Sequence, residues 1–207
     1  MNNAKVKEDY KGSYDEKGLP SGKGVKTSYW DEKIRMIEDG IWQDGFLLEG
    51  SETVFLIEKT FTIRKEVGKW RYDKEKNICD EFISGEGEEL YYKNEEDLHK
   101  NKPLGYVKGL FKDGILIKGE IENASLIEYS AMKGIKKIIY NGYVGWSKNV
   151  HGEDTQIQKG EIYYEDGFVY KGEISFDLPH GKGTGIHKDG NSRTGNWFNG
   201  NLEDKLN

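Results

Sequence analysis

The sequence reads as an all-β chain: an elongated, solenoid-like single layer of stacked antiparallel β-hairpin repeats. Three observations lead there. Glycine supplies 27 of 207 residues against three prolines, an imbalance that neither a disordered nor a collagen-like chain shares, because both want proline as well. A word of the form aromatic-x-Gly-x-aromatic recurs from end to end, the mark of a repeat architecture. Only 35% of residues are hydrophobic, which is thin for a two-layer core, yet aromatics reach 13%, too many for a chain that never folds.

The word is clearest at the amino end, where Tyr10-Lys-Gly12-Ser-Tyr14 leads into Leu19-Pro20-Ser21-Gly22-Lys-Gly24. It returns as Tyr170-Lys-Gly172-Glu-Ile174, leading into Leu178-Pro179-His180-Gly181-Lys-Gly183. Copies that keep the second half and lose the first tyrosine are Gly40-Ile-Trp42, Gly68-Lys-Trp70, Gly109-Leu-Phe111 and Gly195-Asn-Trp197, and the poorest surrounds Tyr140-Asn-Gly142. The central glycines 12, 40, 68, 109, 142, 172 and 195 are separated by 28, 28, 41, 33, 30 and 23 residues, an irregular period. Asp44-Gly45 and Asp113-Gly114 follow two of them as hairpin-turn signals.

Residues i, i+2 and i+4 of a strand share a face, so Tyr10, Gly12 and Tyr14 are expected together. A strand glycine leaves a slot that an aromatic ring from a neighbouring strand can fill. Stacked units then bury rings in slots without a second layer, which accommodates a mean hydropathy of -0.83. The 41-residue gap holds Glu86, Glu88, Glu89, Glu95, Glu96 and Asp97 among Lys93, Lys100 and Lys102, and predicts a charged insertion at about 80–104. Residues 123–139 read either as a helix capped by Asn123 or, preferred for its β-branched second half, as strands. The tail at about 201–207 is expected to cap the array, so that residues 1–207 form one repeat domain.

These words resemble MORN repeats, whose units read roughly Tyr-x-Gly-x-Trp, a turn, then a Gly-x-Gly pair. Tyr170 to Asp189 matches best, and the segment between Trp70 and Gly109 departs most. The resemblance implies a non-enzymatic scaffold or adaptor that holds a partner segment along an aromatic groove. The groove residues expected are Tyr10, Tyr14, Trp42, Trp70, Phe111, Tyr170 and Trp197, types that dominate binding hot spots; packing alone is the competing role.

A formal charge of -6 argues against nucleic acid as a partner. It also weighs against the second function considered, binding to an anionic membrane, for which Lys133, Lys136, Lys137 and Lys148 are the candidates. An antitoxin or immunity protein with an acidic surface is the third. Gly18-Leu-Pro-Ser-Gly22-Lys23 lacks both the spacing and the Ser or Thr of a phosphate loop, and no nucleophile elbow or zinc helix occurs. His180 and His187 near Asp177 and Asp189 lack a fixed metal-ligand spacing, and His180 reads as a loop residue. No enzyme activity, metal or cofactor is expected. Lone Cys79 reads as a small buried residue of a reducing compartment, and the polar amino end suggests a cytoplasmic protein. Open array ends make end-to-end self-association a further expectation.

Overall fold

Two-residue turns with both residues at positive φ close hairpins at Asp31-Glu32, Asp44-Gly45, Phe176-Asp177 and Asn199-Gly200. That turn geometry matches the right-handed twist of the strands it joins. The turn expected at Asp44-Gly45 is therefore present, while Asp113-Gly114 lies outside the described residues. The computed structural model describes residues 6–56, 63–73, 75–76, 78–112, 115–127, 134–148 and 154–203. They form two compact units, Met1–Leu104 with Leu110–Ile115, and Gly105–Gly109 with Leu116–Asn207.

The first unit contains β1 (Val6–Tyr14), β2 (Pro20–Trp30), β3 (Lys33–Gln43), β4 (Phe46–Phe55), β5 (Ile63–Asp73), β6 (Ile78–Ile83), β7 (Gly85–Tyr92) and α1 (Glu95–His99). Strands β1 to β5 pair antiparallel in sequence order. Beyond β5, the first half of that strand pairs with β7 and the second half with β6. The two short strands thus share one sheet position, and the chain breaks between them at Gly85, where φ is 86°. The segment expected as a charged insertion accordingly contributes β7 to the sheet and then folds α1, the one helix among the described residues.

Of β8 (Gly105–Lys112) the second unit takes Gly105–Gly109 and of β9 (Ile115–Glu122) the part from Leu116 on, followed in sequence order by β10 (Ile135–Lys148), β11 (Asp154–Tyr164), β12 (Val169–Ser175), β13 (Leu178–Ile186), β14 (Ser192–Phe198) and β15 (Asn201–Leu202). Every registered pair in both units is antiparallel, so the all-β, single-layer hairpin architecture is as expected. Of the span 123–139, residues 123–127 form a turn rather than a helix, with Ile127 N donating to Asn123 O, and the chain enters β10 at Ile135. Residues 128–133 and 204–207 lie outside the description. At the carboxyl end β15 pairs with β14, and Leu202 lies over Gly195.

A row of glycines matched by register, one from each of β1 to β5 and β11 to β14 rather than one per repeat, organises each unit. In the first unit the register places Gly12 opposite Gly24, Gly24 opposite Gly40, Gly40 opposite Gly50, and Gly50 opposite Gly68. The row crosses the strands at right angles. In the second unit Gly160, Gly172, Gly183 and Gly195 repeat it. Gly142, expected as a central glycine, is off this row: Tyr140 stands in it, between Gly119 and Gly160, because a bulge after Tyr140 shifts the register.

Candidate binding faces

The glycine row receives rings. A Cβ on Gly24 would collide with the Tyr10 ring, and one on Gly183 would collide with the Tyr170 ring. Each tyrosine meets a tryptophan two strands on, edge to face: Tyr10 and Trp42 have centroids 5.4 Å apart, Tyr170 and Trp197 5.2 Å. Both indoles donate to the carbonyl beneath, Trp42 Nε1 to Gly24 O and Trp197 Nε1 to Gly183 O, each at 3.0 Å. The two best sequence words are therefore two copies of one packing unit. They differ at the tyrosine tip, since Tyr170 donates its hydroxyl to the Glu173 and His180 carbonyls at 2.8 and 3.0 Å.

Trp42, Trp70, Phe111, Tyr170 and Trp197 are buried within the chain, Tyr10 is half-buried and Tyr14 is exposed. Of the seven groove candidates, Tyr14 alone has its ring largely free for a partner; the other six fill slots or pack. His180 is not in a loop but in β13, buried with its ring 5.3 Å from that of Phe198. Cys79 is half-buried. The residues weighed for a metal have separate partners: Asp177 accepts from the Tyr140 hydroxyl, Asp189 from Asn191, and His187 packs on Phe168. Among the described residues no group of three or more His, Cys, Asp or Glu is arranged to hold a metal.

Beside the glycine row, on the side away from Trp42 and Trp70, the first unit carries charge. Register sets Lys26 opposite Glu38, Glu38 opposite Glu52, Glu52 opposite Glu66, and Glu66 opposite Glu89. The corresponding row of the second unit is Ile121, Ile138 and Ile162, each 0% exposed. Glu38 and Glu66 are only 7% exposed, so acids hold a lattice position that isoleucine holds elsewhere. Directly opposed like charges are destabilising. Burial pushes the Glu66 carboxyl up to about 7, the Arg64 guanidinium opposes the rise, and Glu89 and Glu52 add to it. Burial likewise raises Glu38 and Glu52.

Two cations meet this row. Lys26 Nζ lies 2.7 Å from Glu38 Oε2 and 5.2 Å from the centroid of the Trp42 ring, so a cation already sits between ring and acid. Arg64 pairs with Glu66 at 3.1 Å. The sequence held a signal for the row: Glu38 and Glu66 occupy the place, two residues before Gly40 and Gly68, where the full word has tyrosine.

Of the lysines weighed for lipid, Lys136 is exposed, while Lys137 pairs with Glu120 at 2.7 Å and Glu122 at 3.4 Å. The Lys137 ammonium, with the Tyr106 hydroxyl beside it, holds the Glu120 carboxyl below its usual range. Lys133 and the side chain of Lys148 lie outside the described residues. No helix among the described residues is long and apolar enough to cross a membrane. A scan against protein-family models and a search of curated proteins each returned no match.

Proposed function

We propose that the chain is a non-enzymatic scaffold that receives a basic polypeptide segment on the face of its first unit, along the row of acids from Glu38 to Glu89. The observation that carries this reading is the replacement of a buried isoleucine row by glutamates at the same lattice position. Acids that raise one another's pKa values cost stability, and such groups concentrate where a ligand relieves the cost. Lys26 shows the chemistry in miniature, with its ammonium against Glu38 and over Trp42. A partner lysine or arginine would make the same ion pair at Glu52, the half-buried acid between Glu38 and Glu66. The resemblance to MORN repeats and the net charge of -6 agree with an interaction protein that attracts a basic partner.

Titrating the full chain with an oligolysine peptide tests this. Saturable binding, weakened roughly tenfold or more in Glu52→Gln/Glu66→Gln, is the expected result for lost charge-assisted contacts. Glu16→Gln/Glu96→Gln removes at least as much charge from exposed sites and should leave binding nearly unchanged. Equal loss in both double variants would reduce the effect to net charge and overturn the proposal.

A further inference from the structure

Neighbouring residues of a strand point to opposite faces, so Ile37 lies on the face away from Glu38. There the first unit has a cleft of about 580 Å³ lined by Ile37, Phe55, Ile63 and Leu98, with Lys33, Arg35 and His99 around it and Glu95 as the one acid among the described lining residues. Its walls are built. Asn94 caps α1 by accepting from Asp97 N at 2.9 Å, and the Tyr92 hydroxyl donates to Asn101 Oδ1 at 2.9 Å. Leu104 N donates to Tyr91 O at 2.7 Å, so the segment that carries Leu98 and His99 is tied to β7 at both ends.

Arg35 is the unusual member. Its Nε is buried without a hydrogen-bond partner, and the side chain forms no ion pair among the described residues. The residue as a whole is half-buried, and an unsatisfied buried donor is destabilising. An apolar cavity of this size with one convergent cationic group is the usual form of a small-molecule site.

The geometry points to a binding site for a small anionic amphiphile, an apolar body that fills the space between Ile37, Phe55 and Leu98 and a carboxylate that pairs with the Arg35 guanidinium lining the same cleft. Guanidinium and carboxylate match as a two-pronged pair, and Lys33 adds a second cation at the mouth. The site lies on the face opposite the glutamate row and does not depend on the function proposed for that row.

The test is titration of the full chain with decanoate, with decanol as the uncharged body and acetate as the head alone, followed by calorimetry and by amide chemical shifts. Decanoate should bind saturably, about tenfold or more tighter than decanol, with shifts centred on Ile37, Phe55, Ile63 and Leu98, and acetate should not saturate. Arg35→Met should weaken decanoate by about 10- to 100-fold and leave decanol unchanged, whereas Arg35→Lys should retain much of the affinity. Equal affinity for decanoate and decanol, or shifts elsewhere, would overturn the assignment; that comparison on the unaltered chain decides even if Arg35→Met does not fold. Self-association that perturbs the same resonances without ligand would also overturn it, in favour of a second copy as the occupant.

Discussion

The indole of Trp42 donates its N–H to the carbonyl oxygen of Gly24 at 3.0 Å across the strand that separates Tyr10 from it. The bond fixes the tryptophan over the glycine row, and the absence of a Cβ on Gly24 leaves the room that the Tyr10 ring occupies. Ring and slot are thus one device, repeated at Trp197 and Gly183.

Removing the bond and keeping a ring separates its two parts. Trp42→Phe should lower stability by about 1–2 kcal/mol, and Trp42→Ala by about 3–5 kcal/mol, since the larger truncation leaves a cavity. Gly24→Ala should cost about 1–3 kcal/mol by displacing the Tyr10 ring. Urea unfolding followed by tryptophan fluorescence and circular dichroism measures all three, and Trp197→Phe should behave as Trp42→Phe does.

The carboxyl of Glu66 is pushed up to about 7 from an ordinary 4.5. Between those values the folded chain binds more protons than the unfolded chain, so this group's contribution is greatest below pH 4.5 and is lost as pH rises through 7. Glu66→Gln should therefore raise stability at pH 8 by up to about 3 kcal/mol and flatten the pH dependence between 5 and 7. Denaturant midpoints across that range give the answer; a variant less stable than the parent at pH 8 would contradict the role given to the row.

Tyr140 stands where its neighbours have glycine and donates its hydroxyl to Asp177 Oδ1. Burial raises the Asp177 carboxyl, and the tyrosine hydrogen bond opposes the rise. Tyr140→Phe removes that donor and should cost about 1–3 kcal/mol at neutral pH. The cost should shrink as the solution is acidified and Asp177 takes up a proton, which thermal melts at neutral and acid pH would reveal.

Because Lys137 is already paired with Glu120 and Glu122, it offers a lipid surface little free charge. Sedimentation with phosphoinositide vesicles at physiological salt should leave the protein in the supernatant. Pelleting that Lys136→Gln abolishes would restore the membrane reading.

Much of this was legible in the chain. The Tyr-x-Gly word and its glycine pair marked both copies of the packing unit, and Asp44-Gly45 marked a hairpin. The glycine row was only half legible, because Gly24, Gly50 and Gly183 enter it through register, which depends on turn lengths and bulges rather than on any local word. Tyr140 displaced Gly142 for the same reason. The aromatic positions were found but their exposure was not: period two tells which residues share a face, whereas burial depends on which neighbour fills which slot. The acids were visible as residues standing where tyrosine was missing, yet their alignment into one row needed the strand pairing. Arg35 and the α1 cleft left no pattern, since β3, β4 and the helix meet there from separate parts of the sequence.

The function proposed for the first unit is tested most directly by locating a bound basic segment. Zero-length carboxyl-to-amine cross-linking of the chain saturated with oligolysine, followed by peptide mapping, reads which acids lie against the ligand. Adducts concentrated on Glu52 and Glu89 are the expected result. Adducts spread over Glu16, Glu96 and the second unit, with Glu52 and Glu89 unlabelled, would contradict it.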